Sequence, residues 1–192
     1  MNTWRIVEES PATLAEYCRV PIRFEIRTRL EPVVRDGGLG GITLEDRPVA
    51  QPYVKQYDQI ESERPTAWPS RWDLTNWLIL AAFAGEQRVG GCVVAYDTPG
   101  LDMLAGQRDM AALVDIRVDP AFRGKGIGAA LFERGAAWAR QQGCRLLKVE
   151  TQNNNVPACR FYAKQGCELG AIVRYAYKEY PQEVELVWYK DL

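Results

Sequence analysis

The 192-residue sequence predicts one mixed α/β domain over residues 1–192, and three observations support this fold class. Two apolar runs joined by the short turn "GEQ" are typical of an antiparallel hairpin. Further along, a strand-like run, a helix-like segment and another strand-like run follow one another, as in a parallel strand–helix–strand unit. The length and the 47% apolar content are those of one globular domain.

The antiparallel elements come first. Residues 3–7 predict a strand, and Ser10 followed by Pro11 predicts a helix that begins there, because serine favours the N-cap and proline the first helical position. Residues 77–84 and 88–96 are the two strands of the hairpin. Residues 31–73 hold many turn-forming residues and no order of elements is predicted for them.

The parallel unit comes second. We expect a strand at 110–118, a helix at 126–142 and a parallel strand at 145–151. A short helix at 155–166 and a last strand at 183–190 complete the predicted order. The sheet is therefore mixed, with antiparallel strands before one parallel pair.

The composition excludes several classes of site. The chain has no histidine, which removes Ser–His and Cys–His nucleophilic pairs and histidine-based zinc sites. Its five cysteines contain no C-x-x-C pair, so neither a disulfide framework nor a thiolate metal site is predicted, and we expect no metal. A net charge of −1 argues against a nucleic-acid partner.

The chain shows no targeting signal. Its first ten residues lack a basic segment followed by an apolar one, and the longest apolar run, residues 77–84, is far below the roughly 20 residues of a membrane span. We therefore expect no membrane partner and a cytoplasmic location. The sequence leaves a homodimer open.

A glycine-rich loop lies between the predicted strand 110–118 and the helix that follows. Its glycines, at every second position, let a ligand approach the main chain, and the N–H groups of a helix N-terminus favour an anion. A P-loop is excluded because Asp119 stands where its first glycine should be. A dinucleotide-binding turn and a glycine turn without a ligand both stay open. The loop glycines are Gly124, Gly126 and Gly128.

Two motifs together resemble the GCN5-related N-acetyltransferases (GNAT). Arg123, Gly126 and Gly128 fill the pattern R-x-x-G-x-G at a strand-to-helix corner. Asn155 and Tyr162 stand as in the second motif of that family. More narrowly, the segments "DIRVDPAFRGKGIG", "LKVETQNNNVPACRFYAKQG", "QPYVKQY" and "VWYKDL" are similar to streptothricin acetyltransferases.

This resemblance implies both a fold and a reaction. The fold is a mostly antiparallel sheet of about six to seven strands, flanked by helices and splayed between its two central parallel strands. The reaction is direct transfer from acetyl-CoA, without a metal, to an amino group of a small cationic molecule, streptothricin first. Another small amine, a protein lysine and a non-catalytic CoA-binding module are the alternatives.

The resemblance also implies cofactor contacts. The pantetheine would lie along the main chain of Ile116 and Val118, and Asn155 and Tyr162 would contact CoA as well. Lys125 could be merely solvated, and Asn155 could act only as a helix cap. The residues expected to hold the pyrophosphate are Arg123, Gly124, Lys125, Gly126, Ile127, Gly128 and Ala129.

Three residues are the catalytic candidates. The amine must lose a proton before it attacks, and without histidine the bases are Asp115, which we prefer, and Glu150. The resemblance assigns protonation of the CoA thiolate to Tyr162. Asp115 could instead pair with Arg117, Glu150 could bind main-chain N–H groups, and Tyr162 could only pack.

For the acceptor, Asp115, Tyr53 and Trp77 are the candidate substrate contacts, because a carboxylate and aromatic walls suit a cationic amine. The aromatic residues could equally belong to the core. Strand alternation places Asp115 and Arg117 on the face opposite Val114.

Overall fold

A computed structural model describes residues 4–61 and 64–192, in which nine strands and three α-helices are present. In chain order they are β1 Arg5–Glu9, α1 Leu14–Tyr17, β2 Arg23–Val34, β3 Ile42–Gln56, β4 Trp77–Ala84, β5 Gln87–Tyr96, β6 Met110–Val118, α2 Ile127–Gln141, β7 Leu146–Gln152, α3 Val156–Lys164, β8 Glu168–Val173 and β9 Glu185–Asp191. No helix of this described part is long and apolar enough to cross a bilayer.

Seven strands form a mixed sheet in the order β1-β4-β5-β6-β7-β9-β8, and β2 pairs only with β3 in a sheet of its own. The pairs β1/β4, β4/β5, β5/β6 and β8/β9 are antiparallel, and β6/β7 is parallel. The mixed, mostly antiparallel sheet predicted from the sequence is therefore confirmed.

The predicted hairpin and the predicted parallel unit are both present. β4 and β5 are almost wholly buried, which is why both read as continuous apolar runs. β6 pairs with β7 only from Met110 to Leu113, opposite Leu146 to Val149, while β6 itself continues to Val118. The parallel ladder thus ends halfway along β6, at the position where a splay is expected.

The chain divides into two compact units. The first comprises the residues up to Arg23, Gln56–Val149 and Lys190–Leu192, and the second comprises Phe24–Lys55 and Glu150–Tyr189. The single domain over residues 1–192 stays a prediction.

In the first unit, α2 packs closely on β5. A Cβ at Gly135 would lie 2.9 Å from Cγ2 of Val94, so only glycine allows this approach. The buried face of the helix repeats at helical spacing, as expected for a helix that covers one face of a sheet. That face contains Ile127, Leu131, Phe132, Ala136 and Ala139.

Residues 31–73, for which no order of elements is predicted, contain the end of β2 and the whole of β3, and these two strands form a long hairpin. Its tip is a glycine-rich turn, with Gly37 and Gly38 at positive φ. Most residues of β3 are exposed, and the strand contains Pro48 and Pro52. Proline is found in strands at the edge of a sheet, where its missing N–H is not needed for pairing. Hydrophobic patterning therefore carries little signal there, and β2, which begins at Arg23, was not predicted.

Two smaller predictions need correction, and one strand was not predicted. The first strand begins at Arg5 rather than at residue 3, and Thr3 lies outside the described residues. Ser10 precedes a 3₁₀ turn and α1, but its side chain makes no capping hydrogen bond. β8 was not predicted. Its Gly170 lies at a register shift, where a Cβ would lie 2.4 Å from the Tyr189 ring.

Candidate functional site

The corner between β6 and α2 has the conformation that its glycines permit. After β6, the Asp119 side chain accepts a 2.9 Å hydrogen bond from the Ala121 N–H and so caps a short 3₁₀ turn. The chain then passes through Gly124 and Gly126, at φ +76° and +82°, before α2 begins. These values lie in the left-handed region that costs other residues about 1–2 kcal/mol, which explains glycine at both positions.

The N-terminus of α2 presents main-chain donors. The first intrahelical hydrogen bond of α2 runs from the Ala130 N–H to the Gly126 carbonyl at 3.0 Å. The N–H groups of the three residues before Ala130 therefore have no intrahelical acceptor, and Gly126 has no side chain with which to cap them. Donors without an intrahelical acceptor, at the positive end of a helix of this length, suit an anion such as a phosphate.

Both cationic side chains of this loop, those of Arg123 and Lys125, contact other residues. The Arg123 guanidinium donates from Nε to the Val118 carbonyl at 3.0 Å and from Nη2 to the Arg23 carbonyl at 2.9 Å. Partial burial lowers its pKa. Lys125 lies with Nζ 4.6 Å from the centre of the Phe122 ring. Arg123 thus holds the loop against the end of β6.

A β-bulge in β6 overturns the predicted alternation. Val93 pairs with Asp115 and Val94 with Leu113, so Val114 is the extra residue. Val114 packs against the core cluster that contains Tyr17, and Asp115 also contacts Tyr17. The prediction that these two side chains lie on opposite faces is therefore wrong, because the bulge resets the alternation.

Asp115 lies in a buried network of the first unit. Its Oδ1 accepts hydrogen bonds from the Tyr17 hydroxyl at 2.6 Å and from Arg117 Nε at 2.9 Å, and its Oδ2 accepts from Arg117 Nη2 at 2.7 Å. Arg117 also donates to the Val20 carbonyl and to Asp58. The pairing with Arg117 that the sequence left open is thus present.

The electrostatics of this network follow from its burial. Burial first, and then the Asp115 charge, raise the pKa of Tyr17 well above its ordinary value. Burial alone would lower the pKa of Arg117, but the charge and hydrogen bonds of Asp115 outweigh this effect and raise it. Tyr17 is therefore a neutral donor and Arg117 a cation at all physiological pH values.

Sequence reasoning missed Tyr17, which reaches Asp115 because Gly91 makes room for its ring. A Cβ at Gly91 would lie 2.3 Å from the Tyr17 Cε2 atom. Arg117 lies with its guanidinium 5.0 Å from the centre of the same ring. The consecutive glycines in β5 were the one available signal, since a glycine inside a strand often marks a close approach.

Ile116, Val118 and Trp77 also belong to the first unit. Ile116 and Val118 pair with Cys92 and Gly90 of β5. Trp77 is buried in the core, stacked on Trp72, and its indole N–H donates to the Thr98 hydroxyl at 3.1 Å. This is the core role that the sequence left open for Trp77.

In the second unit, three consecutive asparagines join β7 to α3, and each has a different role. Asn153 donates to the Leu30 carbonyl and accepts from the Val184 N–H, both at 2.9 Å. The Asn155 side chain caps α3 by accepting from the Ala158 N–H at 3.3 Å. Asn155 therefore has the capping role that the sequence left open beside a contact to CoA.

The other predicted residues of this unit lie on different elements. Glu150 lies on β7, and Tyr162 lies on α3, buried with its ring in edge contact with Phe161. Tyr53 lies on β3 and is 44% exposed.

Sequence reasoning also missed Glu183, which is buried immediately before β9. Its carboxylate accepts from Asn154 Nδ2 at 2.9 Å and forms an ion pair with Lys55. An acidic residue at the start of an apolar strand was the only signal for it.

Comparison with protein families identifies the chain. The family model described as the acetyltransferase (GNAT) family matches residues 45–167, well over half of the chain. The chain belongs to the acetyltransferase (GNAT) family. Both sequence motifs of this GNAT chain lie within the matched residues. The family, the fold and the N-acetyltransferase class predicted from those motifs are therefore confirmed, and the residue roles stay predictions.

This GNAT chain is similar to streptothricin acetyltransferases over nearly its whole length. It is 28% identical to the Escherichia coli streptothricin acetyltransferase, over 93% of this chain and 91% of that protein. It is 37% identical to streptothricin acetyltransferase A of Bacillus subtilis, over 41% of this chain and 47% of that protein.

Solved structures agree with this similarity. A Bacillus anthracis protein described as a streptothricin acetyltransferase, solved with acetyl coenzyme A, has a TM-score of 0.77 and 25% identity, with 98% of this chain and 99% of that chain covered. A nourseothricin acetyltransferase shares the fold with a TM-score of 0.76 at 22% identity, with 98% of each chain covered.

Proposed function

We propose that this chain transfers the acetyl group of acetyl-CoA to an amino group of streptothricin. The observation that carries this proposal is the similarity to the E. coli streptothricin acetyltransferase across nine-tenths of both chains. The alternative acceptors, another small amine or a protein lysine, would use the same chemistry. A CoA-binding module without activity would not transfer an acetyl group to any acceptor.

The cofactor is proposed to bind through its pyrophosphate at the N-terminus of α2. The free N–H groups of Ile127, Gly128 and Ala129 and the left-handed Gly124 and Gly126 support this assignment. The main chain of Ile116 and Val118 is assigned to the pantetheine, since the parallel pairing of β6 with β7 ends before these residues. Lys125 adds positive charge near the phosphates, and Asn155 shapes the start of α3.

Arg123 is proposed to act through the loop rather than as a phosphate ligand. Its guanidinium already donates to two main-chain carbonyls, those of Val118 and Arg23. These hydrogen bonds fix the path of the chain into the glycine corner. In this proposal the first motif has two roles. The Arg123 side chain positions the loop, and the main-chain N–H groups bind the pyrophosphate.

A base is needed because the acceptor amine is charged at neutral pH. An ammonium with a pKa near 10.4 is neutral about one time in 2,500 at pH 7, which corresponds to about 4.6 kcal/mol. Of the two carboxylates, we assign the base to Glu150. Asp115 accepts three hydrogen bonds and balances the charge of Arg117, so protonating it would leave the buried Arg117 without its closest counter-ion.

The proposed reaction is a direct transfer. Glu150, directly or through water, takes the proton of the ammonium, and the amine lone pair attacks the thioester carbonyl carbon to form the new C–N bond. The tetrahedral intermediate then breaks its C–S bond, the CoA thiolate takes a proton from the Tyr162 hydroxyl, and the nitrogen releases its second proton to solvent. Proton exchange with solvent restores both residues, and the products are the N-acetylated amine and free CoA.

The acceptor side is assigned to Tyr53 and not to Trp77. Tyr53 is 44% exposed and presents an aromatic face to a cation, whereas Trp77 is buried in the core. Asp115 is left with a structural role on β6.

We further propose a cytoplasmic location, because all five cysteines are free thiols, as in a reducing compartment. A homodimer is the remaining expectation about partners. Light scattering of the purified chain measures its mass in solution, and a monomer mass would remove that expectation.

The function is tested by offering the purified chain acetyl-CoA with streptothricin, an aminoglycoside, spermidine or a lysine peptide, and measuring released thiol and product mass. Streptothricin should give the highest kcat/KM and gain one acetyl group. Turnover with the peptide alone would replace streptothricin by a protein acceptor. Absence of turnover with every amine, together with tight acetyl-CoA binding, would indicate the non-catalytic module.

A further inference from the structure

Four polar residues of the second unit, two of them on β3, form a cluster that is here called the Glu183 cluster: Tyr53, Lys55, Asn154 and Glu183. Glu183 is only 4% exposed, yet it carries a charge. One of its carboxylate oxygens accepts from Asn154 Nδ2 at 2.9 Å, and the other accepts from the Lys55 ammonium. That ammonium also lies 5.4 Å from the centre of the Tyr180 ring.

Asn154 leaves one strong acceptor unused. The residue is 3% exposed, and no donor among residues 4–61 and 64–192 lies within hydrogen-bond distance of its Oδ1. A buried oxygen without a donor is unfavourable, because it has lost its hydrogen bonds to water. The amide cannot simply flip, because its Nδ2 donates to Glu183, and a flip would set Oδ1 against the carboxylate.

The Asn154 amide lies beside a carboxylate, because its Nδ2 donates to Glu183. Glu183, Glu150 and Glu185 all act on the Tyr177 hydroxyl of the same unit. Burial first, and then these three carboxylates, raise the pKa of the Tyr177 hydroxyl, which accepts a 3.0 Å hydrogen bond from Gln152. A donor that approaches Asn154 is therefore stabilised further if it is a cation.

The cluster also shows which cation suits it. Lys55 is a primary ammonium, and it sits against the Glu183 carboxylate with an aromatic ring beside it. The Lys55 side chain is 17% exposed and Tyr53 is 44% exposed, so the cluster reaches the surface on this side. The Tyr53 hydroxyl lies 3.4 Å from Asn154 Nδ2 and connects the exposed ring to the buried amide.

We infer that the Glu183 cluster binds an ammonium group of the cationic acceptor, which donates to Asn154 Oδ1 and shares the Glu183 carboxylate in competition with Lys55. The inference rests on the proposed function, since it names where that acceptor is recognised. Lys55 acts as an internal occupant that keeps the buried carboxylate neutralised until the acceptor arrives. Acceptors with several amino groups are favoured, because one group is held while another reacts.

The test compares two variants of the full chain. Competition between Lys55 and the acceptor for Glu183 predicts that the two variants change streptothricin binding in opposite directions. Binding of streptothricin is measured by calorimetry with the chain saturated with CoA, which cannot donate an acetyl group. Glu183→Gln removes the charge and should weaken streptothricin binding at least tenfold. Lys55→Met removes the competitor and should tighten it at least threefold. The KM for acetyl-CoA should stay within twofold in both variants.

Glu168→Gln is the matched control. It removes an exposed carboxylate from β8 of the same unit and should change streptothricin binding less than twofold. If the Lys55–Glu183 pair is only structural, both variants should weaken binding or both should leave it unchanged. Either of these results would overturn the inference.

A measurement on the wild type keeps the inference falsifiable if a variant does not fold. The rate of reductive methylation of Lys55, followed by peptide mass spectrometry, should rise at least threefold when streptothricin saturates the CoA-bound chain, because the acceptor displaces the Lys55 ammonium. An unchanged or lower rate would overturn the inference. If the wild type acetylates streptothricin and these results fail, the proposed function stands. If the wild type neither binds nor acetylates streptothricin, the proposed function itself is wrong.

Discussion

The Asp115 carboxylate and the Arg117 guanidinium, two residues apart on β6, form a buried ion pair with an Oδ2–Nη2 distance of 2.7 Å. Tyr17 donates to the same carboxylate from α1, and Arg117 donates onward to Asp58. The pair therefore joins two other segments of the first unit to the strand that we assign to the cofactor.

Breaking this pair should be costly. Asp115→Asn leaves the Arg117 charge buried without its closest counter-ion, and we expect the free energy of unfolding to fall by about 3–5 kcal/mol. Urea denaturation followed by circular dichroism measures this loss. Asp109→Asn is the control, because the Asp109–Arg145 pair is exposed and should contribute at most about 1 kcal/mol. Equal losses in the two variants would contradict the structural role assigned to Asp115.

The glycine corner yields a prediction with a control in the same helix. Gly126 and Gly143 flank α2 at φ +82° and +83°, and a Cβ at either position would meet no atom within 4 Å. Alanine at each should cost about the same stability, about 1–2 kcal/mol. Only Gly126→Ala should raise the KM for acetyl-CoA, by at least tenfold, since its Cβ would stand where the pyrophosphate is proposed to bind. Equal KM values for the two variants would remove that binding site from the proposal.

Tyr162→Phe tests the proposed acid. General acid catalysis contributes about 10²–10⁴-fold, so kcat should fall by at least a hundredfold while calorimetry shows unchanged acetyl-CoA affinity. Tyr175→Phe, at a position that is 77% exposed in the same unit, should leave kcat within twofold. If Tyr162 only packs against Phe161, its phenylalanine variant will keep wild-type turnover.

The buried thiol of Cys159 should resist alkylation. Burial raises the pKa of the Cys159 thiol to about 12, so about one molecule in 10⁴ carries the reactive thiolate at pH 8. Iodoacetamide at that pH should modify the half-buried Cys18 first and spare Cys159 until urea is added. Rapid labelling of Cys159 in the folded chain would contradict this burial.

The same shift gives a pH dependence of stability with a definite sign. Above the ordinary thiol pKa of 9.0, the unfolded chain releases a proton that folded Cys159 keeps. Its contribution to stability is therefore complete below about pH 9 and is lost as the pH rises toward 12. The melting temperature of Cys159→Ser should fall less steeply over this window than that of the wild type.

Local patterns predicted the elements whose residues face a core. β4, β5, β6 and α2 were placed within a residue of their observed ends, because continuous apolar runs and a glycine after the helix mark them directly. The first motif could be read for the same reason, since its chemistry lies in consecutive residues of one corner.

Long-range contacts could not be predicted in this way. Tyr17 and Asp115 are 98 residues apart, and Lys55 and Glu183 are 128 residues apart, so no spacing in the sequence joins them. The bulge at Val114 likewise depends on a partner strand, β5, and not on the residues of β6 alone. The sequence therefore indicated the family through its two motifs, while the environment of each carboxylate required the folded chain.

The three consecutive asparagines, Asn153–Asn155, occupy three different environments. One asparagine joins a strand to its neighbours, the next lies beside a buried charge, and the third starts a helix. Deleting any one of them would give the same shortened sequence, yet the two survivors would have to fill three unlike environments. The number of residues at this junction therefore matters as much as their identity, because one residue more or fewer would require α3 to be attached differently.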